Sequence, residues 1–147
     1  MNHALPSSTG QSMPRRLILG LSLLMLAACG GGSDSSLDLA RYQEAVDQAN
    51  AKEAQARTLG VDTPCQQAAQ CGVLAFLEPT VCPTSTYKVY STISSTAGQA
   101  KAAADEQVAL ADHAIAIDPR GRAPCPLIAV RPPPTPVCVA NQCQASL

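Results

Sequence analysis

Aromatic side chains are nearly missing from this sequence. Of its 147 residues only Tyr42, Phe76, Tyr87 and Tyr90 are aromatic, and tryptophan is absent. A buried ring supplies roughly 150–250 Å² of packed surface. A core here must instead be built from Ala, Val, Leu and Ile, and it must be thin. Charge is sparse too, at 14% of residues, and ten basic against eleven acidic side chains leave a net charge of -1. Neutralising a polyanion takes a basic excess, so a nucleic-acid partner is excluded as the expectation. No Gly-x-Ser-x-Gly nucleophile elbow and no phosphate-cradling glycine loop occurs, so neither a serine hydrolase nor a nucleotide cofactor is expected. A long apolar run is lacking as well. The segment Leu17–Ala28 is twelve residues long and is diluted by Gly20 and Ser22, whereas a membrane-spanning helix takes roughly 20.

What that segment does have is a basic patch, Arg15-Arg16, directly ahead of it. A short apolar run behind a basic patch is the pattern of an export signal. The run closes as Leu26-Ala27-Ala28-Cys29-Gly30, and here the sequence resembles the bacterial lipoprotein signal, whose lipobox is a leucine, two small residues and a cysteine. The resemblance covers Arg15 to Gly30. It implies cleavage ahead of Cys29, a diacylglyceryl thioether on the Cys29 sulfur and, in Gram-negative hosts, an acylated amino group. One chain of myristoyl length holds a protein only marginally on a bilayer, so two or three chains imply a stable membrane anchor. In that family an aspartate after the lipidated cysteine signals retention in the inner membrane. Gly30 stands there instead, which implies the outer membrane, facing the periplasm. Residues 1–13 extend ahead of the basic patch, so Met13 is an alternative start to Met1.

With 1–28 assigned to the signal peptide, the mature chain is 147 less 28, or 119 residues, with eight basic and eleven acidic side chains and a charge of -3. Residues 29–36 read as a lipidated Gly/Ser tether, because Gly30-Gly31-Gly32-Ser33-Asp34-Ser35-Ser36 lacks the apolar surface that would offset ordering it. Residues 37–60 read as an N-terminal helix capped by Ser36 and ended by Gly60, the latter in a left-handed conformation. Its apolar stripe, Leu39, Tyr42, Val46 and Ala49, fades at Glu53, so the helix is expected to pack only in its first half.

Residues 61–147 read as a cysteine-rich α+β domain, a small antiparallel sheet with one packed helix. Gly72–Leu77 is expected to form a buried strand, and Tyr87–Ile93 alternates as a half-exposed strand antiparallel to it. A helix follows over Ala97–Ile117. Ser95 or Thr96 is its cap, Asp118-Pro119 closes it, and Ala100, Ala104, Val108, Ala111 and Ile115 form its apolar stripe. Leu127–Val130 reads as a third strand. The run Arg131–Pro136 must be extended, because its prolines donate no ladder hydrogen bond. A small hairpin turning at Asn141-Gln142 ends the chain.

Seven cysteines are the strongest signal. With Cys29 assigned to lipid, six remain: Cys65, Cys71, Cys82, Cys125, Cys138 and Cys143. An even number in an exported chain with a thin core reads as a disulfide framework. Each bridge contributes about 2–4 kcal/mol where whole domains are stable by only about 5–15. Thiol redox catalysis is disfavoured because no Cys-x-x-Cys pair occurs. A metal site is disfavoured because only Cys138 and Cys143 approach knuckle spacing. Six cysteines admit fifteen pairings, and spacing does not choose among them. The expected hairpin puts Cys138 and Cys143 out of direct register. They are therefore expected to bond elsewhere, back to the Cys65–Cys82 segment and to Cys125. The stretch comprising Cys65, Gln70-Cys71-Gly72, Cys82-Pro83, Tyr87–Ser91, Cys125, Cys138 and Asn141-Gln142-Cys143 resembles exported cysteine-rich bacterial domains of unknown function. That resemblance implies a covalently braced domain and transfers no functional residue.

Other chemistry-bearing residues read as surface. Asp112 and His113 are neighbours on a helix and point about 100° apart, so they cannot support one another as a catalytic pair. Asp105-Glu106 reads as solvated charge, and Pro133-Pro134-Thr135-Pro136 as a rigid spacer or an exposed contact surface for another envelope protein. The expectation is a membrane-anchored, non-catalytic binding or inhibitory domain with no cofactor and no metal, facing an unknown envelope protein or ligand. Two alternatives stay open. One is an envelope hydrolase using Asp105, Glu106 or Asp112 as carboxylates, and the other is a purely structural spacer.

Overall fold

Alanine and long unbranched side chains favour helix, and they dominate two segments of this chain. In the computed structural model these form helix α1 (Ser35–Leu59) and helix α2 (Ala97–Ala116). Residues 35–121, 124–126 and 131–146 are described; the signal segment, Cys29, residues 30–34 of the tether and the expected strand Leu127–Val130 lie outside them. Four strands complete an α+β fold: β1 (Cys71–Leu77), β2 (Ser85–Ser91), β3 (Thr135–Val139) and β4 (Gln142–Ser146). They pair as two separate antiparallel sheets, β1 with β2 and β3 with β4.

The helices run antiparallel. Tyr42 and Ala45 of α1 pack with Ala114 at one end, and Ala56 joins Ala97, Ala100 and Ala103 at the other. Ala49, Ala56, Ala100, Ala111 and Ala114 have no exposed surface. Methyl-sized side chains let helix backbones approach closely, so this seam gains dispersion contacts rather than bulk. On β1 and β2 the period-two alternation sorts the side chains onto two faces. Leu74, Phe76 and Tyr90 face the helices and complete the main core. Cys71 and Val89 face the other way, into a cluster with Cys65, Cys138 and Cys143. Sheet β1–β2 is thus covered by helices on one face and by the terminal hairpin on the other.

Two glycines are set by close approach. A Cβ on Gly60 would lie 2.8 Å from Leu74 Cδ1 and 3.0 Å from the Ala56 carbonyl oxygen, and one on Gly72 would lie 2.8 Å from the Tyr90 ring. Gly60 therefore ends α1 without the expected left-handed conformation: its φ is not positive, and what excludes a side chain there is lack of space.

Other expectations are corrected by packing. Helix α1 already includes Ser35 and Ser36, so Ser36 lies in its first turn instead of capping it. Its second half is not a free stalk, because Ala56 is in the main core and Leu59 packs against that core. Glu53, which interrupts the apolar stripe, accepts a 2.7 Å hydrogen bond from Arg57 Nε. The Arg57 guanidinium in turn lies 4.4 Å from the centroid of the Phe76 ring. The charged pair therefore roofs the core's one phenyl group, a cation–π contact. Thr96 stands at the N-terminus of α2 without capping it through its side chain. Its hydroxyl donates to the Leu59 carbonyl at 2.7 Å instead, tying the start of α2 to the end of α1. Strand β2 begins two residues earlier than expected and ends at Ser91. There the Ser91 N–H turns away from β1 to the Val61 carbonyl.

Candidate functional site

The chemistry-bearing residues fall in three places: the sulfur cluster under the sheet, the exposed edge of α2, and the end of the helix pair.

All six cysteines expected to be bridged are bridged, as Cys65–Cys138, Cys71–Cys143 and Cys82–Cys125. Their Cα separations of 5.9, 5.5 and 5.4 Å are ordinary for cystines. Cys138 and Cys143 do bond back to the Cys65–Cys82 segment, but neither bonds Cys125, which pairs with Cys82 instead, and the expected reason was wrong. They lie directly opposite one another in the β3–β4 register. The turn is Ala140-Asn141, not Asn141-Gln142, and both residues have positive φ, 49° and 67°, as a two-residue hairpin turn of this hand requires. Both side chains project to one face, towards β1, and meet partners there. Backbone ties reinforce the union: the Cys143 N–H donates to the Asp62 carbonyl at 2.8 Å and the Cys65 N–H to the Asn141 carbonyl at 3.3 Å. Gln142 Nε2 donates to the Asp62 carboxylate, and the Ser91 hydroxyl donates to the Pro64 carbonyl.

The sulfurs of Cys65, Cys71 and Cys143 lie within 4.8 Å of one another. Among the described residues this is the one group with metal-ligand spacing. Each of its sulfurs is bonded to another sulfur and so is not the thiolate that a metal requires. The bridge Cys82–Cys125 closes a loop of 43 residues by sequence separation that carries β2 and α2.

The carboxylates weighed for hydrolysis are all exposed on α2. Asp105 accepts from Lys101 Nζ at 2.8 Å, one turn back on the same helix. That hydrogen bond is the main reason the Lys101 ammonium titrates above its ordinary range. Glu106 pairs with Lys52 of α1 at 2.7 Å, and Asp112 points to solvent with His113 beside it. His113 is exposed, on the rim of a shallow groove of about 410 Å³ lined by Asp38, Arg41, Glu44 and Gln48 of α1 and Ile117. The groove carries charge of both signs. The Pro133–Pro136 run leads from the loop into β3, where Pro136 stands opposite Ala145. The Tyr87 hydroxyl holds its approach by donating to the Arg131 carbonyl at 3.2 Å.

Three polar devices were not foreseen from the sequence. Gln107 is fully buried. Its Oε1 accepts from the Leu77 N–H at 3.0 Å and its Nε2 donates to the Leu77 carbonyl at 2.7 Å, so one side-chain amide stands in for the next strand's peptide at the free edge of β1. Lys88, half-buried opposite Leu74, donates to the Arg57 carbonyl at 2.7 Å. It places a cation at the carbonyl end of α1, where the helix dipole favours one. The third device closes the helix pair. Arg120 Nη2 donates to the Tyr42 hydroxyl at 2.7 Å, Tyr42 donates to the Pro79 carbonyl at 3.1 Å, and the guanidinium also pairs with Asp118. Hydrogen bonding from Arg120 is the main cause that holds the Asp118 carboxyl below its ordinary value of 3.8.

Comparison of the chain with known protein families, with curated proteins and with solved structures finds no match. Among the described residues no helix is long and apolar enough to cross a membrane.

Proposed function

We propose that this chain is an envelope lipoprotein, anchored through Cys29 in the outer membrane and facing the periplasm, whose domain is a non-catalytic binding or inhibitory module. One observation carries the reading. Of seven cysteines, six are consumed in three bridges, and the seventh is the Cys29 of the lipobox-like segment Leu26-Ala27-Ala28-Cys29. Bridges of this number are the chemistry of oxidising compartments, and a cysteine kept out of them behind an export-type segment is available for acylation. The domain's chemistry supports binding over turnover: Asp105 and Glu106 are engaged as surface ion pairs with lysines, the arrangement of solvated charge. No observation favours the hydrolase or spacer reading over this one.

Fractionation tests the anchor. Wild-type chain expressed with its leader is expected in the outer-membrane fraction, and Cys29→Ala in the soluble periplasm. Equal partition of the two would refute lipidation at Cys29. Co-purification from native envelopes, with the lipidated chain as bait, tests the binding module. A stoichiometric partner lost on reduction of the disulfides is the expected result.

A further inference from the structure

The sulfur cluster under the sheet holds more options than the pairing it displays. Cys65–Cys138 and Cys71–Cys143 both join the β1 region to the hairpin β3–β4. The cysteines of each end are also neighbours of one another. The sulfurs of Cys65 and Cys71 lie within 4.8 Å. Cys138 and Cys143 stand directly opposite in register. The Cys143 N–H is turned outward to Asp62, which marks this as the non-hydrogen-bonded kind of pair, with Cα atoms typically about 4.5 Å apart. That spacing falls within the range a disulfide spans, about 4.4–6.8 Å. The same four sulfurs can thus be satisfied by two bridges between the sheets, or by one bridge on each side of the interface.

Access selects where exchange begins. Cys65, Cys71 and Cys143 are 2%, 7% and 4% exposed, whereas Cys138 is only partly buried. We propose that this cluster is a thiol–disulfide exchange site whose entry atom is Cys138 Sγ and whose co-reactant is a small monothiol. The thiolate of the monothiol attacks Cys138 Sγ, forming a mixed disulfide and releasing the Cys65 thiolate. Cys65 attacks Cys71 Sγ, forming Cys65–Cys71 and releasing the Cys143 thiolate. Cys143 attacks Cys138 in the mixed disulfide, forming Cys138–Cys143 and releasing the monothiol. Three S–S bonds form and three break, one monothiol enters and leaves, and no net oxidation occurs. The outcome is mechanical. Covalent ties between the sheets become ties within the hairpin and within the Cys65–Cys71 segment, and the hairpin stays docked by its non-covalent contacts, the hydrogen bonds it makes with Asp62 and Cys65 and its packing against Val89.

The test uses the oxidised full chain incubated with reduced glutathione, sampled over time, quenched by acid and alkylation, and mapped by peptide mass spectrometry. The first adduct is expected on Cys138, followed by linked peptides Cys65–Cys71 and Cys138–Cys143 with loss of the adduct. A first adduct on Cys65, Cys71 or Cys143 would overturn the proposal. So would conversion straight to free thiols, or original linkages that persist unchanged under glutathione. The double variant Cys71→Ser/Cys143→Ser blocks the relay. In it the Cys138 adduct is expected to persist with a free Cys65 thiol, and failure of that adduct to form would equally count against the mechanism.

Discussion

The two faces of sheet β1–β2 are held by opposite means. On the helix side, among the described residues, no cysteine takes part, and cohesion comes from buried alanines, three larger side chains and one buried amide. On the hairpin side the cluster comprises five of the described residues, and four of them are cysteines in two bridges. Burial stabilises by about 25 cal/mol per Å² of apolar surface. A regular seam of methyl groups along two helices accumulates such area, and a five-residue hairpin arm does not. The contrast shows where a chain poor in aromatics needs covalent help: not under its helices, but under the short terminal hairpin.

The largest expected effect breaks the braced face. Cys65–Cys138 and Cys71–Cys143 have sequence separations of 73 and 72 and close nearly the same loop. By chain entropy either one alone is worth about 4 kcal/mol, and adding the second closes only a short further ring, for about 2–3. Losing one bridge, as in Cys71→Ala/Cys143→Ala, should therefore cost about 2–3 kcal/mol. Losing both should cost about 7, more than twice as much, in urea unfolding of the otherwise oxidised domain. Equal and additive losses would show that the two bridges do not share a loop.

Two substitutions probe the helix face. Gln107→Leu leaves the Leu77 N–H and carbonyl unpartnered in a half-buried place, and about 1–3 kcal/mol should be lost by the same measurement. A loss under half a kcal/mol would mean water replaces the amide. Ala100→Leu forces extra methylenes into a seam with no exposed surface at that position, and should cost about 1–3 kcal/mol. Neither change should alter the disulfide map.

The smallest effect is electrostatic. Asp118 has its carboxyl lowered by hydrogen bonding from Arg120. A carboxyl lowered in the folded state contributes stability that is fully present above its ordinary value of 3.8 and is lost as pH falls through the folded value. The wild-type melting temperature should therefore drop slightly more than that of Asp118→Asn as pH is taken below about 4. The two should run parallel from pH 5 to 8, and parallel curves below pH 4 as well would remove the pair from the account.

The same contrast explains how far the sequence could be read. Helix α2 was legible because both ends carry chemical punctuation: it starts at Ala97 and gives way before Asp118-Pro119. Strands β1 and β2 were legible from alternation and turn residues, to within two residues. Cysteine count and export context pointed to three bridges. What stayed hidden has a common cause. Alanine contributes little hydrophobic contrast, so the continuation of the stripe beyond Ala49 to Ala56 cannot be told from helix surface, and the second half of α1 read as a stalk. Gln107 reads as polar surface because its partner, the edge of β1, is set only by tertiary structure. The hairpin register turned on Ala140 taking a positive φ, which a residue with a Cβ rarely does. Asn141-Gln142 therefore looked the better turn, and Cys138 and Cys143 were set out of register. Of the functional assignments, Cys29 was legible through the lipobox resemblance and as the one cysteine the three bridges leave over, and it lies outside the described residues.

The most direct measurement is a disulfide map of the freshly purified chain, with free thiols alkylated before any reduction. Three linked pairs are expected, Cys65 with Cys138, Cys71 with Cys143 and Cys82 with Cys125, with no alkylated cysteine among these six. Free thiols at any of these six positions in freshly isolated protein would contradict the disulfide framework.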